Sequence, residues 1–114
     1  MVPPSAPGAI VLVRFPFSDL SSTKLRPAVV LANAGRDDWV LCQVTSKSYA
    51  DPQAIEIVEA DFDAGSLHIT SYARPGKLFT ANSALIVAEI ALLARPAFRR
   101  IINGVVALLR ASVV

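Results

Sequence analysis

The two side chains that build most metal sites and nucleophilic relays are nearly missing: 114 residues contain one cysteine and one histidine. Cys42 alone cannot close an internal disulfide. Its place inside the apolar run Trp39 to Val44 marks a small buried side chain rather than a nucleophile, which suits a reducing cytoplasm. His68 has no second imidazole or thiol beside it in sequence and reads as a loop or surface residue. The acidic residues Asp19, Asp37, Asp38, Asp51, Asp61 and Asp63 are scattered, mostly in loops, so neither a metal site nor a cofactor site is expected. Charge is sparse too, at 18% of residues, with a net charge of +2 and a pI of about 9.0. That balance permits polyanion binding without requiring it, so the placement of the charges matters more than their sum. Long apolar runs are lacking. Ala84 to Ala94 contains Glu89 and falls well short of the ~20 apolar residues of a membrane span. The start, MVPPSAPGAIVLVRF, has no basic n-region and carries Arg14 inside its apolar run, so no secretory signal is expected and the cytoplasm is the expected location. No internal repeat and no alternating βαβ pattern is visible.

What the chain does hold is apolar residues, 54% of the total, above the ~45–50% of an ordinary globular domain. Residues 1–114 read as a single domain, long enough to bury its own core, with residues 1–7 a loose lead-in. The near-continuous run Ala9 to Val13 suits a first strand buried on both faces, ended by Phe15-Pro16-Phe17 and a polar loop over 18–23. After a second polar loop, SKSYADPQ, Ile55-Glu56-Ile57 alternates as a half-exposed strand. Asp61 to Ser66 has turn composition, and Ser71 to Arg74 and Lys77 to Thr80 read as strand pieces joined by a bend at Pro75-Gly76. Leu85 to Leu93 reads as a strand. Phe98, Ile101, Ile102, Val105, Val106 and Leu109 make one apolar stripe on a C-terminal helix, with Pro96 near its start. Gly104 weakens that helix by roughly 1 kcal/mol relative to Ala, so close packing at that point is expected to compensate. The pattern predicts an α+β, mainly β fold: a small, strongly curved antiparallel sheet of the SH3-like barrel kind, covered by one helix. The apolar excess, the Leu85 to Leu93 strand and the helix stripe together predict a homodimer.

The stretch from Lys24 to Ser46, KLRPAVVLANAGRDDWVLCQVTS, organises the rest. Two apolar strands, Ala28 to Ala32 and Trp39 to Val44, flank the turn NAGRDD and run back antiparallel. Pro27 pushes Arg26 toward an extended conformation at the mouth of the first strand. Because the start of one hairpin strand lies beside the end of the other, Arg26 and Thr45 are predicted neighbours, with Lys24, Ser46 and Lys47 around them. The candidate active site is placed there.

Four stretches in order, GAIVLVRFPFSDLSSTKLRPAVVLA, LCQVTS, DF and SYARPGKLFT, resemble the PemK/MazF family of toxin endoribonucleases over roughly residues 8 to 94. The resemblance implies an mRNA-cleaving toxin of a type II toxin–antitoxin pair. It implies that the arginine before the proline of the RP motif and the threonine of the TS motif, here Arg26 and Thr45, are catalytic. It also implies a small antitoxin whose disordered acidic tail covers a basic groove. The chain has Ala9 where family members usually carry Asp, and Leu25 where they carry a basic residue. A gyrase-poisoning toxin of similar fold, CcdB, depends on a C-terminal Trp; this chain ends Ala111-Ser112-Val113-Val114. The alternative is a barrel of the same fold that binds nucleic acid, or is directed at gyrase, without cleaving.

Cleavage by internal attack of a 2′-hydroxyl requires removal of its proton, stabilisation of charge on the phosphorane oxygens and a proton for the leaving 5′-oxygen. Arg26 stays protonated and offers a planar fork of donors to two phosphate oxygens, a role that is first of all electrostatic. Thr45 can orient the phosphate or the attacking hydroxyl, and Ser46 can add a donor. Arg74 and Lys77 either line an RNA groove or belong to a solvated bend, and Tyr49, Phe17 and Tyr72 either stack on bases or pack. Single-stranded RNA is the expected substrate, cleaved selectively in sequence and without a metal.

Overall fold

A computed structural model describes Pro4, residues 6–16 and residues 23–113. Phe17 and the polar loop expected over 18–23 lie, apart from Thr23, outside those residues. The strands are β1 (Ala9–Pro16), β2 (Thr23–Gly35), β3 (Asp38–Thr45), β4 (Ile55–Ile57), β5 (Phe62–Gly65), β6 (Ser71–Asn82) and β7 (Ile86–Leu93), followed by helix α1 (Arg95–Arg110). They form one seven-stranded sheet in the order β4-β6-β3-β2-β1-β7-β5. Every neighbouring pair is antiparallel. The fold is the expected one: a curled antiparallel half-barrel with one C-terminal helix.

The curl is visible in the strand registers. Against β3, strand β2 carries two extra residues, one between Val30 and Ala32 and one between Asn33 and Gly35. Against β1, strand β7 shifts twice, and β5 shifts once against β7. Each such bulge raises the local twist and bends its strand, so the sheet rolls up instead of lying open. Phe15 of β1 and Phe79 of β6 show the result: three ladders apart in the sheet, their rings meet at 4.7 Å between centroids.

Rolling up gives the sheet two apolar faces. On the convex face Ile10, Val29, Cys42, Val44, Ile57 and Ala73 pack with Ala97, Ile101 and Val105 of α1. On the concave face Val11, Val13, Ala28, Val30, Leu41 and Ile86 form a second core with Phe79 and Trp39 against it. Side chains alternate between faces along each strand, so burial on both sides explains why β1, β2 and β7 read as continuous apolar runs rather than as alternation.

Three expectations need correction. Phe62–Gly65 is an edge strand on β7, not a turn. Its turn-prone composition is overridden by pairing, and Gly65, with φ of 68°, lets it lie against the backbone of Ile90 and Ala91 where no Cβ fits. The two pieces around Pro75-Gly76 are one strand, β6, in which Arg74 to Lys77 bulge out against the single residue Gln43. The bulge accommodates a proline that cannot donate to a ladder. On α1 the packed row is Ala97, Ile101 and Val105, flanked by Phe98 and Ile102, whereas Val106 and Leu109 are exposed. Gly104 meets the expected close packing: a Cβ there would stand 2.5 Å from Ile55 Cδ1 and 3.4 Å from Pro75 Cγ.

Candidate active site

Reading β2 back from its centre, the residues of its concave face are Val30, Ala28, Arg26 and Lys24; reading β3 forward, they are Leu41, Gln43 and Thr45. On β6 the same face runs from Ala81 and Phe79 to Lys77 and, past the bulge, to Arg74 and Tyr72. Three adjacent strands therefore change from apolar to polar at the same end of one face. A cationic and hydroxyl-bearing surface begins where the concave core stops.

The hairpin register sets Arg26 and Thr45 against each other. Ala28, Val29 and Val30 pair with Gln43, Cys42 and Leu41, and that register, carried two steps past its last ladder pair, lines Arg26 up with Thr45. The ladder itself stops at Ala28, because Pro27 contributes no N–H. The strands part there, each held by its outer neighbour, Arg26 against Val13 of β1 and Thr45 against Tyr72 of β6. Arg26 thus lies within β2 rather than at its mouth, since β2 begins at Thr23. The sequence places it near the end of a strand because its pairing with β1 outlasts its pairing with β3.

Thr45 is 8% exposed, and its Oγ1 accepts the backbone N–H of Lys47 at 3.2 Å. That contact fixes the rotor and leaves the hydroxyl proton to be donated elsewhere. Arg26 is half-buried, and Lys24, Ser46, Lys47 and Lys77 are exposed around it. Arg74 differs. Its Nε donates to Asp51 Oδ2 at 3.1 Å and its guanidinium lies 5.1 Å from the centroid of the Tyr49 ring. The backbone N–H of Gln53 first, and Arg74 second, hold the Asp51 carboxyl below the ordinary carboxylate range. Lys77 lies on the concave face, while His68 stands exposed in a loop with φ of 62°.

Beneath this surface Cys42 is fully buried, its thiol 3.2 Å from the carbonyl of Arg74, and burial pushes its pKa up to about 12. It is a packing residue, as expected. Sequence reasoning missed Gln43, which alternation along β3 places between Leu41 and Thr45, and Asp51, whose tie to Arg74 crosses 23 positions and leaves no local signal. Among the described residues no group of three or more His, Cys, Asp or Glu side chains is arranged to hold a metal ion. No described helix is long and apolar enough to cross a membrane. Hollows of about 650 Å³ beside His68 and about 370 Å³ beside Phe98 lie away from Arg26 and Thr45. Around Arg26 and Thr45 the described surface is formed by the exposed residues Lys24, Ser46, Lys47 and Lys77.

Solved structures resemble this architecture closely while sharing little sequence. A MazE–MazF complex from Deinococcus radiodurans aligns with a TM-score of 0.74 at 18% identity, covering 95% of this chain and 97% of that one. A mycobacterial endoribonuclease in complex with its cognate antitoxin aligns at 0.71 and 13%, covering 96% and 95%. The Mycobacterium tuberculosis toxin MazF-mt6 aligns at 0.69 and 11%, covering 89% and 95%. Among curated proteins none matches the sequence. A family model described as the PemK-like, MazF-like toxin of type II toxin–antitoxin systems matches residues 6–109. With nearly its whole length matched, the chain belongs to that toxin family.

Proposed function

We propose that this protein is the toxin of a type II toxin–antitoxin pair and cleaves single-stranded mRNA, selectively in sequence and without a metal, in the cytoplasm as a homodimer. The observation that carries this reading is the juxtaposition of Arg26 and Thr45, by register, on a face that turns cationic at their end of the sheet. In the proposed reaction the ribose 2′-hydroxyl loses its proton to water and attacks the neighbouring phosphorus as the bond to the 5′-oxygen breaks, leaving a 2′,3′-cyclic phosphate and a 5′-oxygen that takes up a proton from water. Arg26 offers two N–H donors to the phosphorane oxygens, where charge develops. The Thr45 hydroxyl, oriented by Lys47 N–H, donates to a phosphate oxygen. Lys24, Ser46, Lys47 and Lys77 hold neighbouring phosphates; Arg74 is tied to Asp51 and supports the groove from its side.

Family membership and the antitoxin-bound relatives support a cognate antitoxin as partner, and a cationic groove is complementary to a disordered acidic tail. The test is to incubate the purified protein with a mixed RNA, with and without EDTA, and map the ends. Discrete cuts at a recurring short motif in both arms are expected. Loss of cleavage in EDTA, restored by Mg²⁺, would overturn metal independence; absence of any cut would overturn the enzyme reading in favour of binding alone.

A further inference from the structure

The loop between β3 and β4 holds an aromatic ring in a costly conformation for no evident packing purpose. Tyr49 and Ala50 both have positive φ, 55° and 54°, in a turn closed by Asp51 N–H donating to the Ser48 carbonyl at 2.9 Å. Non-glycine residues in the left-handed region are strained, and strain of this kind persists only where surrounding contacts hold it. Here Asp51 supplies those contacts. Its backbone closes the turn, its Oδ1 accepts Gln53 N–H at 2.9 Å, and its Oδ2 accepts Arg74 Nε at 3.1 Å. Arg74 in turn covers the Tyr49 ring. The ring nevertheless remains 58% exposed, so the strain does not serve burial.

The position of the ring is informative. Arg74 begins the β6 bulge, one residue beyond Ala73 and two beyond Tyr72, the ladder partner of Thr45, so it follows that partner directly on the concave face. The loop reaches the same place from the other side, since Tyr49 follows Thr45 by four positions. A planar guanidinium under a ring held by a rigid turn makes a two-layer platform beside the candidate phosphate site.

We propose that Tyr49, stacked on Arg74, is a platform for an unpaired RNA base flanking the scissile phosphate, and that Arg74 and Asp51 are positioning residues that hold this ring. The inference rests on the endoribonuclease reading. It adds a specificity-determining contact: stacking tolerates any base, but the fixed place of the ring dictates which nucleotide must unstack. A rigid ring loses little conformational freedom on binding, which is the gain that offsets the strained turn.

The test uses an oligoribonucleotide containing the mapped cleavage motif, with wild-type protein, Tyr49→Ala, Tyr49→Phe and Asp51→Ala. For Tyr49→Ala, KM should rise about tenfold, the scale of one lost base stack, with kcat changing less. Tyr49→Phe should stay within about twofold of wild type, and Asp51→Ala should fall between. A second measurement places 2-aminopurine at each position flanking a cleavage site blocked by a 2′-deoxy sugar. One position should be quenched on binding to wild type and Tyr49→Phe but not to Tyr49→Ala. Wild-type cleavage with unchanged KM in Tyr49→Ala overturns the platform and leaves the enzyme reading standing. Cleavage by wild type with no Tyr49-dependent quench at any flanking position likewise overturns the platform alone, whereas a wild type that cuts no RNA overturns the enzyme reading and the platform with it.

Discussion

Arg26 is half-buried and lies on the polar end of the concave face, outside both apolar clusters, so it adds little to the core. Arg26→Ala should leave the circular dichroism spectrum unchanged while lowering single-turnover cleavage at least ~100-fold, the scale of one lost transition-state charge contact. Arg26→Lys should restore only part of the rate, since an ammonium keeps the charge but cannot make a two-pronged contact. Near-normal cleavage by folded Arg26→Ala would remove Arg26 from the proposed catalytic pair. Cys42 makes a separate prediction. Burial raises its thiol pKa from the ordinary 9.0 of the unfolded chain to about 12 in the fold. The folded state therefore retains a proton that the unfolded state releases, so this contribution to stability is whole below pH 9 and declines as pH rises toward 12. Denaturant unfolding of wild type and Cys42→Ala should show their stability difference shrinking across that window by on the order of 2–4 kcal/mol; a constant difference would contradict it. The same burial should keep Cys42 unreactive toward thiol reagents in native protein at neutral pH.

At the scale of elements, what could be read in the sequence depended on whether local chemistry and tertiary packing agreed. The Lys24 to Ser46 hairpin was legible because Pro27, the turn and two apolar runs all specify the same structure. The edge strand Phe62–Gly65 was not, since its Asp and Gly content favours a turn and only the waiting edge of β7 makes it a strand. The bulge in β6 was half legible: Pro75-Gly76 announces an irregularity, but not whether the strand survives it. In α1 the stripe was correct in period, yet its second row, ending in Val106 and Leu109, turns away from the sheet, because periodicity does not reveal which edge of a stripe meets its neighbour. Gly104 offers a test. Alanine there gains about 1 kcal/mol of helix propensity but displaces Ile55 Cδ1, the end of a side chain that must turn off its rotamer at a cost of about 0.5–1.5 kcal/mol, while Pro75 Cγ stays in ordinary contact. Gly104→Ala alone should fail to stabilise. In an Ile55→Val background, which removes the obstructing Cδ1, the same substitution should be better tolerated by about 1 kcal/mol. Stabilisation by Gly104→Ala alone, in urea melts, would show that the contact yields freely.

For the whole molecule, the open question is how much apolar surface remains after one chain folds. Leu25, Ile69, Leu85, Val106 and Leu109 are exposed on the isolated chain. Sedimentation at micromolar concentration should report a dimer, and a monomer at that concentration would remove the homodimer from the proposal. A second consequence concerns the far end of the hairpin. Its two-residue turn, Arg36 and Asp37, has positive φ at both positions, and Asn82 and Ser83 grip it by hydrogen bonds to Asp38 and to the carbonyls of Arg36 and Asp37. This clasp decides the alignment of β2 on β3, and hence which residues face each other where the strands part, nine positions away on β2 and roughly 30 Å along an extended strand. One residue inserted between Arg36 and Asp37 should slip that alignment, setting Arg26 against a residue whose side chain points to the other face. Cleavage should collapse although nothing near the RNA has changed, and a screen for inactive variants should recover lesions at this turn. The proposed active site has a remote ruler, and on that proposal losing cleavage takes no more than miscounting by one at the opposite end of the sheet.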